Sequence, residues 1–486
     1  MASLPRSLLA LSVALLALYG LLMVPEPTWS PTVEPTGRTS FRWDADAFFQ
    51  SLQARFEGAR AAGCTAATPE IEIGLATLRA RIAELRTPQL HTAIFEELEA
   101  ELFALAPLVA ACPAALPELS ALIAQLRAGV KRLSETWDLK DSAVRDRLYR
   151  LLYGSRAALE EALLQAPDGV LPAVQPGTAE SSAAPSTELL GLRIHSGDLL
   201  VSRGGAPTSA LIARGNDYPG NFSHVAVVHV GEDGTASVIE AHIESGVAVA
   251  TAAEYLADKK LRVLVLRVRA DHRLMRWDPL LPHRAATAAL LRARSEHVPY
   301  DFAMDFQDPS RLFCSEVASS VYADQGLTLW MEMSHMSSPV LRSWLGGFGV
   351  RHFATQAPSD LEYDPSLRVV AEWRDHEVLL RDHIDNAVID ALLELAQPGE
   401  PLPYPALQLP VYRLVKAYSV LINWLGSVGP VPEGMSATAA LRNQAFSARH
   451  ARLMRLVWKA AEERPYTPPY WELVKMAEAV VARNDP

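Results

Sequence analysis

The chain predicts an α+β protein: a helical bundle, then a domain of mixed strands and helices, then a mostly helical C-terminal region. Three observations carry this reading. Across 44–166 apolar residues recur at helical steps, as in Leu75, Leu78, Ile82 and Leu85. Across 188–358 short β-branched runs, such as Val225-Ala226-Val227-Val228, alternate with helical patterns. Between them, 167–187 is rich in Pro, Ser and Ala with almost no bulky apolar residue, a linker signature. At 486 residues the chain exceeds one ordinary core. Its 49% hydrophobic and 21% charged content is that of a folded protein. The net charge of −11, with no Lys/Arg run, excludes a nucleic-acid partner.

Arg6 precedes a nearly unbroken apolar run from Leu8 to Val24. A charged start and an apolar centre make residues 1–24 a targeting segment. No small-x-small cleavage site follows, which favours an uncleaved signal anchor over a cleaved signal peptide. Either way the body of the protein is expected on the far side of the cytoplasmic membrane, periplasmic or extracellular, with 25–43 as a Pro/Thr-rich tether. Export permits disulfides. Cys64 and Cys112 both fall in the helical region, so a bridge between them is expected, with Cys314 left free.

Five apolar stripes divide 44–166 into helices. They run through Phe48-Leu52-Phe56, Ile71–Leu85, Leu90–Leu105, Leu119–Leu133 and Val144–Leu163, with Pro88 and Pro117 near helix starts. Short connections imply an antiparallel bundle. It carries no catalytic cluster and reads as a spacer or a surface for a protein partner.

The mixed domain holds the chemistry. Strands are predicted at 198–202, 224–230, 236–242 and 261–269, and helices at about 207–214, 284–296 and 314–325. Cys314 opens the last of these helices, His224 opens a strand, and Glu240 lies on the next strand. A helix N-terminus lowers a thiol pKa, an imidazole takes the proton, and a carboxylate fixes the imidazole tautomer. These are the parts of a Cys-His-acid hydrolase. On the residues alone, His242 shares a face with Glu240 and competes for the third place. His229 points to the opposite strand face, His195 shows no partner, and Glu244 falls in a turn.

Four segments in order resemble the YiiX/YebB-like family of circularly permuted papain-like (NlpC-type) cysteine amidohydrolases, over about residues 190–350. They are Gly197-Asp198-Leu199-Leu200, Ser223-His224-Val225, Ile239-Glu240-Ala241, and Tyr300-Asp301 followed by Cys314-Ser315-Glu316. As in that permuted family, the cysteine follows the histidine. The resemblance implies a papain-like domain in which the cysteine helix packs on a small antiparallel sheet. It also implies an acyl-enzyme mechanism with Cys314 as nucleophile, His224 as general base and Glu240 as the orienting acid. Cell-wall peptide or amino-acid amides are the favoured substrates. Lipid-linked amides or esters, cut as in the lecithin:retinol acyltransferase-like branch, are the rival, and a silent binding module is the non-enzymatic alternative.

No cofactor or metal is expected. Asp301, Asp305 and Asp308 lack the spacing and central glycine of a calcium loop. Tyr300 reads as a substrate-side hydroxyl or a packing aromatic, and Glu316 as a loop contact. From 359 to 486 the pattern is mostly helical after a strand-like Leu367–Ala371. The apolar helix around Val411–Leu425 is interrupted by Arg413 and Lys416, so it reads as packed or interfacial rather than spanning.

Overall fold

The computed structural model describes residues 6–26, 46–86, 93–189, 191–258, 260–330 and 332–484. From residue 27 the expected tether lies outside the described residues, as do Pro88 and Leu90. After α1 (Arg6–Leu22), six helices fill the bundle region: α2 (Ala47–Ala62), α3 (Cys64–Glu84), α4 (Ile94–Ala111), α5 (Leu116–Leu133), α6 (Ser142–Leu148) and α7 (Gly154–Gln165). Asp46 starts α2 by accepting the Phe49 N–H at 2.8 Å. The predicted stripes meet in one core through Leu75, Leu98, Leu119, Val130 and Leu159. Among the described residues no single helix is long and apolar enough to cross a membrane.

Cys64 and Cys112 are disulfide-bonded across a separation of 48 residues, and Cys314 is free. Closing a loop of that length removes chain entropy from the unfolded state worth roughly 4 kcal/mol. The Cys64→Ser/Cys112→Ser double variant should therefore lose up to about 4 kcal/mol in urea unfolding, with Cys314 alkylation unchanged.

Seven antiparallel strands form the central sheet: β1 (Val174–Pro176), β2 (Leu199–Gly204), β3 (His224–Val230), β4 (Ala236–His242), β5 (Gly246–Thr251), β6 (Lys260–Val268) and β7 (Leu367–Trp373), in the order β1-β7-β6-β2-β3-β4-β5. The helices between strands are α8 (Pro207–Arg214), α9 (Ala252–Ala257), α10 (Arg273–Trp277), α11 (Leu281–Ser295), α12 (Cys314–Ala323) and α13 (Pro339–Phe348). Strand alternation splits the sheet into two apolar faces. Val201, Val225, Val227 and Leu264 meet α11 and α12 on one face. Leu200, Ala226, Val228 and Val263 meet Tyr255 of α9 on the other. The C-terminal helices α14 (His376–Leu395), α16 (Ala437–Glu462) and α17 (Tyr470–Asn484) share a third core with α8 and α13, while α15 (Leu409–Trp424) packs on small separate clusters around Met435 and Leu441.

The sheet does not respect the segment limits read from composition. β1 comes from the expected linker and β7 from beyond residue 358, so a cut at 358/359 would remove a strand lying between β1 and β6. A three-residue edge strand ending in Pro176 is too short to leave a pattern, and an edge tolerates its missing donor. Buried charges also bind the bundle to the sheet. Glu160 of α7 meets Arg262 of β6 at 2.6 Å, and Glu362 meets Arg127 at 2.5 Å and Arg156 at 2.7 Å.

Candidate active site

Strand register gathers the polar cluster. Ala226 of β3 pairs with Glu240 of β4, so His224, two residues earlier, shares a face with Glu240 and His242. His224 Nε2 lies 2.5 Å from Glu240 Oε2, and His242 Nε2 lies 3.0 Å from Glu240 Oε1. Both sequence candidates for the third place are thus present, but the carboxylate touches His224 while His242 holds the carboxylate's other oxygen. Lys260, at the start of β6, places its Nζ 4.0 Å from Glu240 Oε2. Burial raises the Glu240 pKa, but the bonds from His224 and His242 outweigh it and hold the carboxylate well below its usual range.

The thiol arrives from the other side of the sheet. α12 packs Val317, Ala318 and Val321 against the face that carries Val225 and Val227. This brings its first residue, Cys314, to the start of β3, where Sγ lies 3.8 Å from the Ser223 carbonyl oxygen, beside the His224 that opens the strand. Glu240 occupies Nε2, which leaves Nδ1 as the ring nitrogen open to the thiol. Burial raises the Cys314 pKa, yet the hydrogen bond and charge of His224 bring it below the ordinary thiol value. Burial lowers the His224 pKa, and bonds to Cys314 and Glu240 reverse this and push it up to about 9. The two shifts together favour a thiolate–imidazolium pair, in which each charge stabilises the other.

The thiol's surroundings are built by the loop before α12. Its neck is closed by Leu312 N–H donating to Pro299 O at 3.1 Å and Asp301 N–H donating to Leu312 O at 3.2 Å. Asp301 accepts the Ala303 N–H at 2.9 Å and also the Asp305 N–H, so it organises a turn. Asp308 likewise accepts from Ser310. Tyr300 packs edge-on to Phe302, and burial together with the neighbouring Cys314 charge holds its phenol well above the usual value. Among the described residues no group of three or more His, Cys, Asp or Glu side chains is arranged to hold a metal ion.

Glu316 is buried and accepts the Phe313 N–H at 2.8 Å, fixing the entry into α12. Its carboxyl is pushed up to about 8 by burial, with the charges of Asp301 and Cys314 adding to it. From sequence Glu316 reads as a loop contact, and Lys260 is not among the candidates for the place beside Glu240. The signal for Glu316 was its place at the third position of a helix, where an acid reaches back to the cap. A lysine heading the apolar run Leu261–Leu266 was the signal for Lys260. The remaining candidates stand apart. His229 stacks on His283 on the opposite face, His195 Nδ1 meets Ala184 O at 2.9 Å, and Glu244 sits in the β4–β5 turn.

Compared with curated proteins and with solved structures, the chain finds no significant match. A family model matches residues 193–371, the stretch that runs from before β2 into β7. Its description is a permuted papain-like amidase enzyme, YaeF/YiiX, of the C92 family. Residues 193–371 of this chain are a domain of the YaeF/YiiX family of permuted papain-like amidases, a cysteine-type hydrolase domain.

Proposed function

We propose that this protein is an exported cysteine amidohydrolase, held at the membrane by residues 8–24, that cleaves amide bonds through an acyl-enzyme. The observation that carries the reading is the His224–Glu240 contact at 2.5 Å, with Cys314, whose acidity His224 raises, brought beside it at the junction of α12, β3 and β4. Cys314 Sγ attacks the carbonyl carbon, and the Cys314 and Ser315 N–H groups at the start of α12 face developing negative charge. His224 gives its proton to the leaving amine and then takes one from water, which releases the acid and the free thiol. Glu240 keeps Nε2–H engaged so that Nδ1 faces sulfur, and His242 and Lys260 keep Glu240 in place.

Peptide or amino-acid amides at the cell wall are the proposed substrates. Incubating the protein with muropeptides and, separately, with phospholipid vesicles tests this by mass spectrometry of the products. New carboxyl termini in the muropeptide arm support the reading, and deacylated lipid alone overturns it.

The pH profile follows from the paired shifts. Activity should rise as the Cys314 thiol ionises, below the ordinary thiol range, and fall above pH about 9 as His224 loses its proton. Glu240→Gln removes the charge that stabilises the imidazolium, so the basic limb should move to lower pH and kcat should fall by on the order of 10⁴-fold. An unmoved basic limb would mean that Glu240 does not act through His224.

A further inference from the structure

The helix α15 is built with its polar side inward. The stretch from Pro401 to Pro432 contains no acidic residue, in a chain of net charge −11, and its basic residues are Arg413 and Lys416. Both engage protein groups. Lys416 Nζ donates to Pro432 O at 2.9 Å, while Arg413 donates to Val24 O and lies 3.6 Å from Glu26. Tyr412 and Val415 pack against Val431 and Met435 on that same inner side.

The outer side carries Val411, Leu414, Tyr418, Leu421 and Leu425, spaced three and four apart, each more than half exposed. Trp424 beside them is 80% exposed. An apolar stripe at this spacing normally faces a core. Left in the open and contiguous, it marks an interaction surface. The surface continues onto α1, which lies against α15 with Tyr19 Oη donating to Leu407 O at 3.0 Å. There Leu16 and Leu21 are also exposed, at 71% and 67%.

We infer that α15 is a second membrane contact, lying in the plane of the bilayer with its outer stripe among the acyl chains beside α1. Three features select lipid as the occupant: the exposed apolar stripe lies against the apolar N-terminal helix, the α15 stretch holds no acid, and an exposed Trp sits on its flank, the residue type that settles at the headgroup level. The inference rests on the proposed anchoring by residues 8–24. It also bears on the reaction. Phe302 packs on the cluster beneath α15 and edge-on to Tyr300 at the catalytic loop, so the active site is held close to the bilayer surface.

The test uses the full chain in vesicles of phosphatidylethanolamine and phosphatidylglycerol. Single reporter sites Leu16→Cys, Leu421→Cys and, as a control on α3, Ile73→Cys are placed in a Cys314→Ser background and labelled with an environment-sensitive fluorophore. The expected result is a blue shift at Leu421→Cys and loss of its emission with brominated acyl chains, with neither at Ile73→Cys. Quenching at Leu16→Cys but not at Leu421→Cys would overturn the inference and leave the anchor standing. Quenching at neither site would overturn both. Self-quenching between copies at position 421, without lipid quenching, would overturn it in favour of a second copy of the chain.

Discussion

Cys314→Ser is expected to abolish amide turnover, lowering kcat by at least about 10⁴-fold while the chain stays folded. The change is nearly isosteric, and Cys314 takes no part in the disulfide. A hydroxyl beside His224 lacks the acidity that the thiol gains there, so the nucleophile is lost rather than weakened. His224→Ala should cost a similar factor, and the double variant should be no worse than either single one. Groups that act as one unit fail together, so a large additive loss would indicate separate roles. Activity of Cys314→Ser within about tenfold of the parent chain, far above the loss expected for a nucleophile, would remove the cysteine from the chemistry.

Glu160→Gln should be the most damaging change far from the site. Glu160 is fully buried between Arg262 at 2.6 Å and Arg156 and Arg374, each at 3.4 Å. Removing its charge takes from a buried network the carboxylate shared by three guanidinium groups, leaving Arg262 with Asp382, Arg156 with Glu362 and Arg374 with Glu372, a loss of about 3 kcal/mol. Burial raises the Glu160 pKa, but Arg262, Arg156 and Arg374 outweigh it and hold it far below the carboxylate range. Its contribution is therefore present above the ordinary carboxylate pKa and lost as pH falls through the depressed one. Because Glu160 belongs to the bundle and Arg262 to a central strand, the urea midpoint should drop for bundle and sheet together. A separate, earlier transition for the bundle, with the sheet unmoved, would show that these ion pairs do not couple the two.

Local patterns make the elements of the candidate site legible. β3 and β4 match their predicted spans, and α12 begins at the predicted Cys314, because β-branched alternation and a helix-start cysteine are signals within a few residues of each other. What joins distant segments left weaker traces. The three residues of β1 lie in a Pro/Ser-rich stretch, and β7 finds its partners a hundred or so positions upstream in β6. The buried pairs were hidden for a related reason. Arg156, Glu160 and Glu362 read as surface charges one by one, and only the packing of α7 against the sheet gives them partners. At the site itself, spacing placed Glu240 and His242 on one face but left their roles open. The side-chain contacts separate them, since one carboxylate oxygen of Glu240 meets His224 and the other meets His242.

The central claim is that Cys314 is a thiolate held by His224 near neutral pH. Alkylation by iodoacetamide measures this directly, followed by mass spectrometry at Cys314 across a pH series. With Cys64 and Cys112 bridged, Cys314 is the chain's one free thiol. Alkylation of the native protein is expected already well below the pH at which an ordinary thiol ionises, with that onset shifted to higher pH in His224→Ala. Labelling of the native protein that appears only in the alkaline range, at the same pH with and without His224, would contradict it.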